Sequence, residues 1–150
     1  MSWLQRNAWR ALLVLVVLIG LVGMWALLVG ITEDPSVPLG LTGLTAAQIQ
    51  TQGEGGYRLA DYGVRVGGLC LVVISTLLSA IVVFAFREHR RWAWWAMWVL
   101  PIWGAATMLL ILALGVAPGQ AAPTPLISGL VVVVLSTALL AVSAPLFKAD

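Results

Sequence analysis

Charge is scarce in this chain: 9% of its 150 residues are Asp, Glu, Lys or Arg, against about 25% in an ordinary soluble domain. It has one cysteine, Cys70, and one histidine, His89. A single cysteine excludes an intramolecular disulfide, and with it the quinone-linked dithiol chemistry that some four-span enzymes use. A metal needs several His, Cys or carboxylate donors at consistent spacing, so no metal and no other cofactor is expected. Ionisable residues are also missing from the middle of every long apolar run. Such groups are costly in lipid and mark ion pathways and proton relays. Their absence argues against an ion-coupled transporter, and the lack of an acid in the first run argues against a small multidrug exporter. An uncharged pore stays open. Ser and Thr within the runs have no general base beside them, so nucleophilic catalysis has no footing and no enzyme is expected.

What the chain has is apolar length. Apolar residues make up 61% of it and the mean hydropathy is +1.03. Four runs stand out: Ala11 to Ile31, Val66 to Phe86, Trp92 to Leu114 and Leu126 to Phe147. Each can cross a hydrocarbon core of roughly 30 Å at about 1.5 Å per residue. Lipid offers the backbone no hydrogen bonds, so each run must be an α-helix. The expected fold is all-α, an integral membrane four-helix bundle forming one domain over residues 1–150. The first run exceeds the roughly 7–15 residues of a signal-peptide core, and Val29-Gly30-Ile31 lacks the small-x-small cleavage pattern. It is expected to stay as a signal anchor.

Threading the chain four times through a membrane sorts its charges. One side collects Arg6, Arg10, Arg87, Glu88, Arg90, Arg91, Lys148 and Asp150; the other collects Glu33, Asp34, Glu54, Arg58, Asp61 and Arg65. Most of the Lys and Arg fall on the first side, which makes it cytoplasmic and puts both termini there. Trp3, Trp9, Trp92, Trp94, Trp95 and Trp98 gather at the same boundary, where an indole finds both apolar and polar surroundings. Arg87, Arg90 and Arg91, with Trp92, Trp94 and Trp95, are expected to meet lipid headgroups. Three arginines in one short turn are too few for a nucleic-acid site. The expected partners are the bilayer, other transmembrane subunits, or a second copy.

The turn Arg87 to Arg91 is short enough to make the second and third spans antiparallel neighbours. Gly63, Gly67 and Gly68, followed by Ser75 and Ser79, mark a packing stripe on the second span. Gly20 and Gly23, and Ser136 and Ser143, read the same way on the first and fourth. The outer loop between spans one and two is expected to be partly helical, since Thr45-Ala46-Ala47-Gln48 fits a capping box. A short helix over about Thr45 to Thr51 should end at Gly53, Gly55 and Gly56. A second stretch from about Tyr57 should lead into span two, with Arg58, Asp61 and Arg65 on one face as a charged ladder. Pro101 removes a backbone donor and should kink span three near Met97. Cys70 is expected to be an apolar filler and His89 a solvated loop residue.

The stretch Phe86-Arg87-Glu88-His89-Arg90-Arg91-Trp92-Ala93-Trp94-Trp95, with Pro101 beyond it, resembles a turn in small bacterial four-span membrane proteins to which no activity is assigned. In these, an Arg-rich turn, often containing Gly, leads into Trp-Ala-Trp-aromatic and then a proline. Glu88-His89 departs from the Gly-containing form. The resemblance implies a bacterial inner membrane and no particular chemistry.

The one candidate for a ligand site centres on Trp103, about 16 Å deeper than Trp92 at about 1.5 Å per residue. Its indole sits near mid-membrane, with the Met97 carbonyl freed by Pro101 and Thr107 one turn onward. The simpler reading is a Trp filling the space that Pro101 and Gly104 open. For the whole chain the first expectation is a non-catalytic accessory or assembly subunit, and the second a binder or carrier of a lipid or hydrophobic small molecule.

Overall fold

A computed structural model describes residues 3–32, 43–115 and 124–147. Helix α1 (Trp3–Val29) ends in a 3-10 turn, Gly30–Thr32. A short α2 (Ala46–Gln52) precedes α3 (Glu54–Ile81), whose end widens into a π-helical turn, Val82–Phe86. Then follow α4 (Arg91–Met97), α5 (Val99–Leu114) and α6 (Thr124–Ser143), the last closing in a 3-10 turn, Ala144–Phe147. No strand occurs among the described residues. Four helical segments are long and apolar enough to cross a membrane: Arg6–Val29, Glu54–Phe86, Arg91–Leu114 and Leu126–Phe147. The fold is the expected all-α arrangement of four such helices. Glu33, Asp34, Gln120, Lys148 and Asp150 lie outside the described residues.

Two helices outrun their apolar runs. α1 already starts at Trp3, and α3 with its π-helical end covers 33 residues, or about 50 Å at about 1.5 Å each. Once a helix is nucleated, each further residue adds a backbone bond whether or not its side chain is apolar. α2 has the expected capping box: the Thr45 hydroxyl accepts the Gln48 amide at 3.3 Å, and the Gln48 side chain accepts the Thr45 amide at 2.8 Å. Gly53 alone ends it. Gly55 and Gly56 instead occupy the first turn of α3, where Glu54 places its carboxylate at the positive end of the helix.

The break between α4 and α5 falls where proline requires it. Pro101 has no N–H for the Met97 carbonyl, and the chain tightens at Trp98, whose amide donates to Trp95 at 3.1 Å. Helical bonding resumes with Ile102 donating to Trp98 at 3.2 Å.

Backbones approach most closely in two seams. In the first, Gly20 and Gly23 of α1 lie against Gly68, Leu71 and Ser75 of α3; a Cβ at Gly68 would stand 2.5 Å from the Gly23 carbonyl and 2.6 Å from the Leu27 amide. In the second, Gly104 of α5 crosses Gly129 of α6, where a Cβ on Gly104 would be 3.3 Å from the Gly129 carbonyl. Such contact requires the missing side chains, because lipid gives helices no hydrophobic drive to associate. The expected stripe on α3 is corrected here: Gly68 and Ser75 form the seam, whereas Gly63 and Gly67 have nothing within 4 Å. The helical period puts positions 68 and 75 on one stripe and turns 63 and 67 away from it. α1 also packs on α6. The hairpin arms α3 and α5 meet through large side chains, Leu71, Ile74 and Leu78 sharing a cavity wall with Val99, Leu100 and Trp103.

Buried apolar side chains concentrate at the end that carries the Arg-rich turn, hereafter the basic end, around Leu12, Val16, Val82, Phe86, Met97, Leu140 and Phe147. Ser75, Ser136 and Ser143 are buried. Their hydroxyls donate to carbonyls of their own helices, at Val72 (3.0 Å), Val132 (2.5 Å) and Leu140 (3.0 Å), so no seam carries an unmatched hydroxyl. Cys70, expected as a small apolar filler, is exposed on α3 and fills no gap between the helices.

Candidate functional site

The densest polar arrangement joins α3 to the far end of α1. The last carbonyls of a helix have no partners within it and carry partial negative charge. Arg65 supplies them: its Nη1 donates to the carbonyls of Leu27 at 2.9 Å and Leu28 at 3.0 Å, and its Nη2 to that of Val29 at 3.4 Å. Its Nε donates to Asp61 Oδ2 at 2.8 Å, while Asp61 Oδ1 accepts the Ile31 amide at 3.0 Å. The planar five-donor fork of a guanidinium makes this set of bonds available to Arg and not to Lys. Gly30 sits between the partners at φ 73°, and a Cβ there would lie 2.7 Å from Arg65 Nη2 and collide with the Asp61 carboxylate.

Arg58 does not join this clasp. It pairs with Glu54 at 3.0 Å, and that pair is 78% and 57% exposed, against 41% and 25% for Arg65 and Asp61. The expected three-residue ladder is therefore two separate i, i+4 pairs. Glu54 stands one turn before Arg58, the favourable order for such a pair, and Asp61 is already engaged.

At the basic end the belt divides into structural and exposed members. Arg10 and Arg87 both stand over the Trp9 ring, at 5.3 and 5.4 Å from its centroid, within the range of a cation–π contact. Trp94 is half-buried and its indole N–H donates to the Leu140 carbonyl of α6 at 3.0 Å. Trp94 also meets Trp95 and Trp98 edge-on, with centroids 4.8 and 5.7 Å apart. Trp94 thus also fastens α4 to α6, a role its place in the belt did not announce. Arg91, Trp92 and Trp95 are exposed; Arg90, also exposed, pairs with Glu88 at 3.3 Å. His89 is solvent-exposed as expected. It also takes the left-handed conformation at φ 58° that closes the turn, and its ring lies 5.7 Å from that of Phe147.

The Trp103 group does not converge on a ligand volume. Thr107 donates its hydroxyl to the Trp103 carbonyl at 2.9 Å, and Met97 is fully buried in the basic-end core. Trp103 lines a cavity of about 10 Å3 with Val16, Ile19, Leu71 and Leu78 among its walls, room for about one water and too little for an acyl chain. A larger space of about 310 Å3 lies elsewhere, an open groove between α1 and α6 lined by Ala11, Val14, Leu15, Leu18, Leu135, Ala138, Leu139 and Val142. Among the described residues no group of three His, Cys, Asp or Glu could hold a metal ion.

Sequence reasoning found the Asp61–Arg65 pair and placed Trp9 in the belt, but missed the role of Gly30, the seating of Arg10 and Arg87 on Trp9, and the Leu140 carbonyl. A glycine just past a helix end is a recognisable C-terminal signal, and Gly30 carries it. Compared with protein-family models, curated proteins and solved structures, the chain matches none.

Proposed function

We propose that this chain is a non-catalytic accessory or assembly subunit of a membrane complex, seated in a bacterial inner membrane with both termini cytoplasmic. One observation carries the reading. Gly63 and Gly67 form a small-x-x-x-small pair on α3 whose Cβ positions meet nothing within 4 Å, whereas Gly20, Gly23, Gly68, Gly104 and Gly129 are used up in the internal seams. Small pairs of this kind let a second transmembrane helix approach closely. Cys70 lies on the same face, three residues beyond Gly67, and is exposed. The surface around it is apolar, with Val66, Leu69 and Val73 outward.

Cys70 and co-purification together make the reading testable. An added oxidant such as copper phenanthroline, which takes the two electrons, should link Cys70 to Cys70 of a second copy where that copy covers this face, and a partner subunit of different sequence should co-purify in mild detergent. Gly63→Leu with Gly67→Leu should abolish both that product and co-purification in mild detergent. Absence of both a co-purifying protein and a Cys70 adduct from the native protein, or persistence of either in the double variant, would refute the proposal.

A further inference from the structure

Two arginines from distant parts of the chain meet on one indole. Arg10 of α1 and Arg87, the residue after the π-helical end of α3, stand 5.3 and 5.4 Å from the centre of the Trp9 ring. Their guanidinium carbons are therefore no further apart than those two distances together. Trp9 is itself half-buried against the basic-end core, so the platform is fixed. A guanidinium held by an aromatic face keeps N–H donors free for an anion. Both arginines are exposed, and among the described residues neither enters an ion pair. Like charges brought to one ring oppose each other. The described acid at this end, Glu88, is bonded to Arg90 at 3.3 Å. The pair thus suits an anion that accepts from two guanidiniums at once, which is the chemistry of a phosphate group.

The position of Arg10 says where that phosphate comes from. Val17, Leu21, Met24 and Leu28 follow it at helical spacing on one stripe of α1, and all four are large apolar side chains left exposed. On a spanning helix such a stripe faces lipid. Arg10 stands where the stripe reaches the basic end, at the level where an indole settles among headgroups. A choline headgroup would bring a third cation to the ring, whereas a phosphatidylglycerol headgroup brings none.

We propose that Arg10 and Arg87, held by Trp9, bind the phosphate of one anionic phospholipid at the basic end of the α1–α3 pair. The site depends neither on the orientation of the bundle nor on a partner subunit. The test is native mass spectrometry of the purified chain in mild detergent with equimolar phosphatidylglycerol and phosphatidylcholine, reading the ratio of the two one-lipid adducts. The native protein should favour phosphatidylglycerol several-fold. Arg10→Gln and Arg87→Gln should each cut that preference, and the double variant should bring it down to about one. Arg91→Gln removes one exposed charge from the same end but none from the Trp9 ring, and should leave the preference unchanged. Trp9→Leu keeps both charges without their platform and should lower it, whereas Trp9→Phe should keep it, with thermal unfolding confirming that the helices remain assembled. Asp150→Asn should leave it unchanged. No preference in the native protein, equal losses in Arg91→Gln and Arg10→Gln, or a preference that survives the double variant or a folded Trp9→Leu protein, would overturn the proposal. So would a preference that emerges only in Asp150→Asn, because the chain's own carboxylate would then be the occupant.

Discussion

Arg65 does two things at one point: it neutralises the negative end of α1, and it fixes where α3 crosses it. The i, i+4 spacing to Asp61 is readable along the chain, but the carbonyls it serves are 36 to 38 residues away and no local pattern names them. Gly30 completes the arrangement, and its substitution is the cleanest probe. Alanine at a left-handed position costs about 1–2 kcal/mol, and here the added carbon would also push apart Asp61 and Arg65. Gly30→Ala should therefore lower the unfolding temperature in detergent clearly more than Gly63→Ala, whose new methyl meets open space. Asp61→Asn should likewise exceed Glu54→Gln, because a charge-assisted bond of about 1.5–3 kcal/mol is lost where Asp61 is part-buried, and an exposed pair contributes about 0–1 kcal/mol. Equal effects within either pair would mean that the clasp does not hold the helices together.

At the scale of elements, the short turn between α3 and α4 misleads about neighbours. Closeness in sequence suggests that the hairpin arms pack best, yet the tight seams are α1 with α3 and α5 with α6, because those are the faces without side chains. Hydropathy locates a helix because it sums over about twenty residues; pairing depends on single Cβ positions, which averaging erases. Gly63, Gly67, Gly68, Ser75 and Ser79 on α3 read alike until the structure shows which meet α1. The same limit applies to Trp94 and Trp95, which look equivalent in a belt of indoles but are about 100° apart on a helix. Trp94 reaches the Leu140 carbonyl while Trp95 is exposed. Trp94→Phe should thus destabilise by about 1 kcal/mol, the net value of one such hydrogen bond, and Trp95→Phe by much less. Chemical unfolding of both variants in the same detergent measures the difference, and a reversed order would show that the α4–α6 fastening is not made.

For the whole molecule the decisive quantity is the separation of charge between its two ends. The basic end carries Arg6, Arg10, Arg87, Arg90 and Arg91, all exposed; the opposite end carries the Glu54–Arg58 and Asp61–Arg65 pairs, in which each cation is matched by a carboxylate. Insertion responds to Lys and Arg near span ends and keeps them in the cytoplasm, so the excess at the basic end should set a single orientation. Gly53 and His89 stand at the two ends of α3 and its turn, both exposed, and give the test. Single cysteines introduced as Gly53→Cys or His89→Cys in a Cys70→Ala background should differ in intact cells, an impermeant maleimide labelling position 53 and reaching position 89 only after the membrane is opened. The opposite pattern would invert the topology and move the Trp9 site to the outer leaflet. Labelling at both positions in intact cells would mean that the charge difference is too weak to choose between the two orientations.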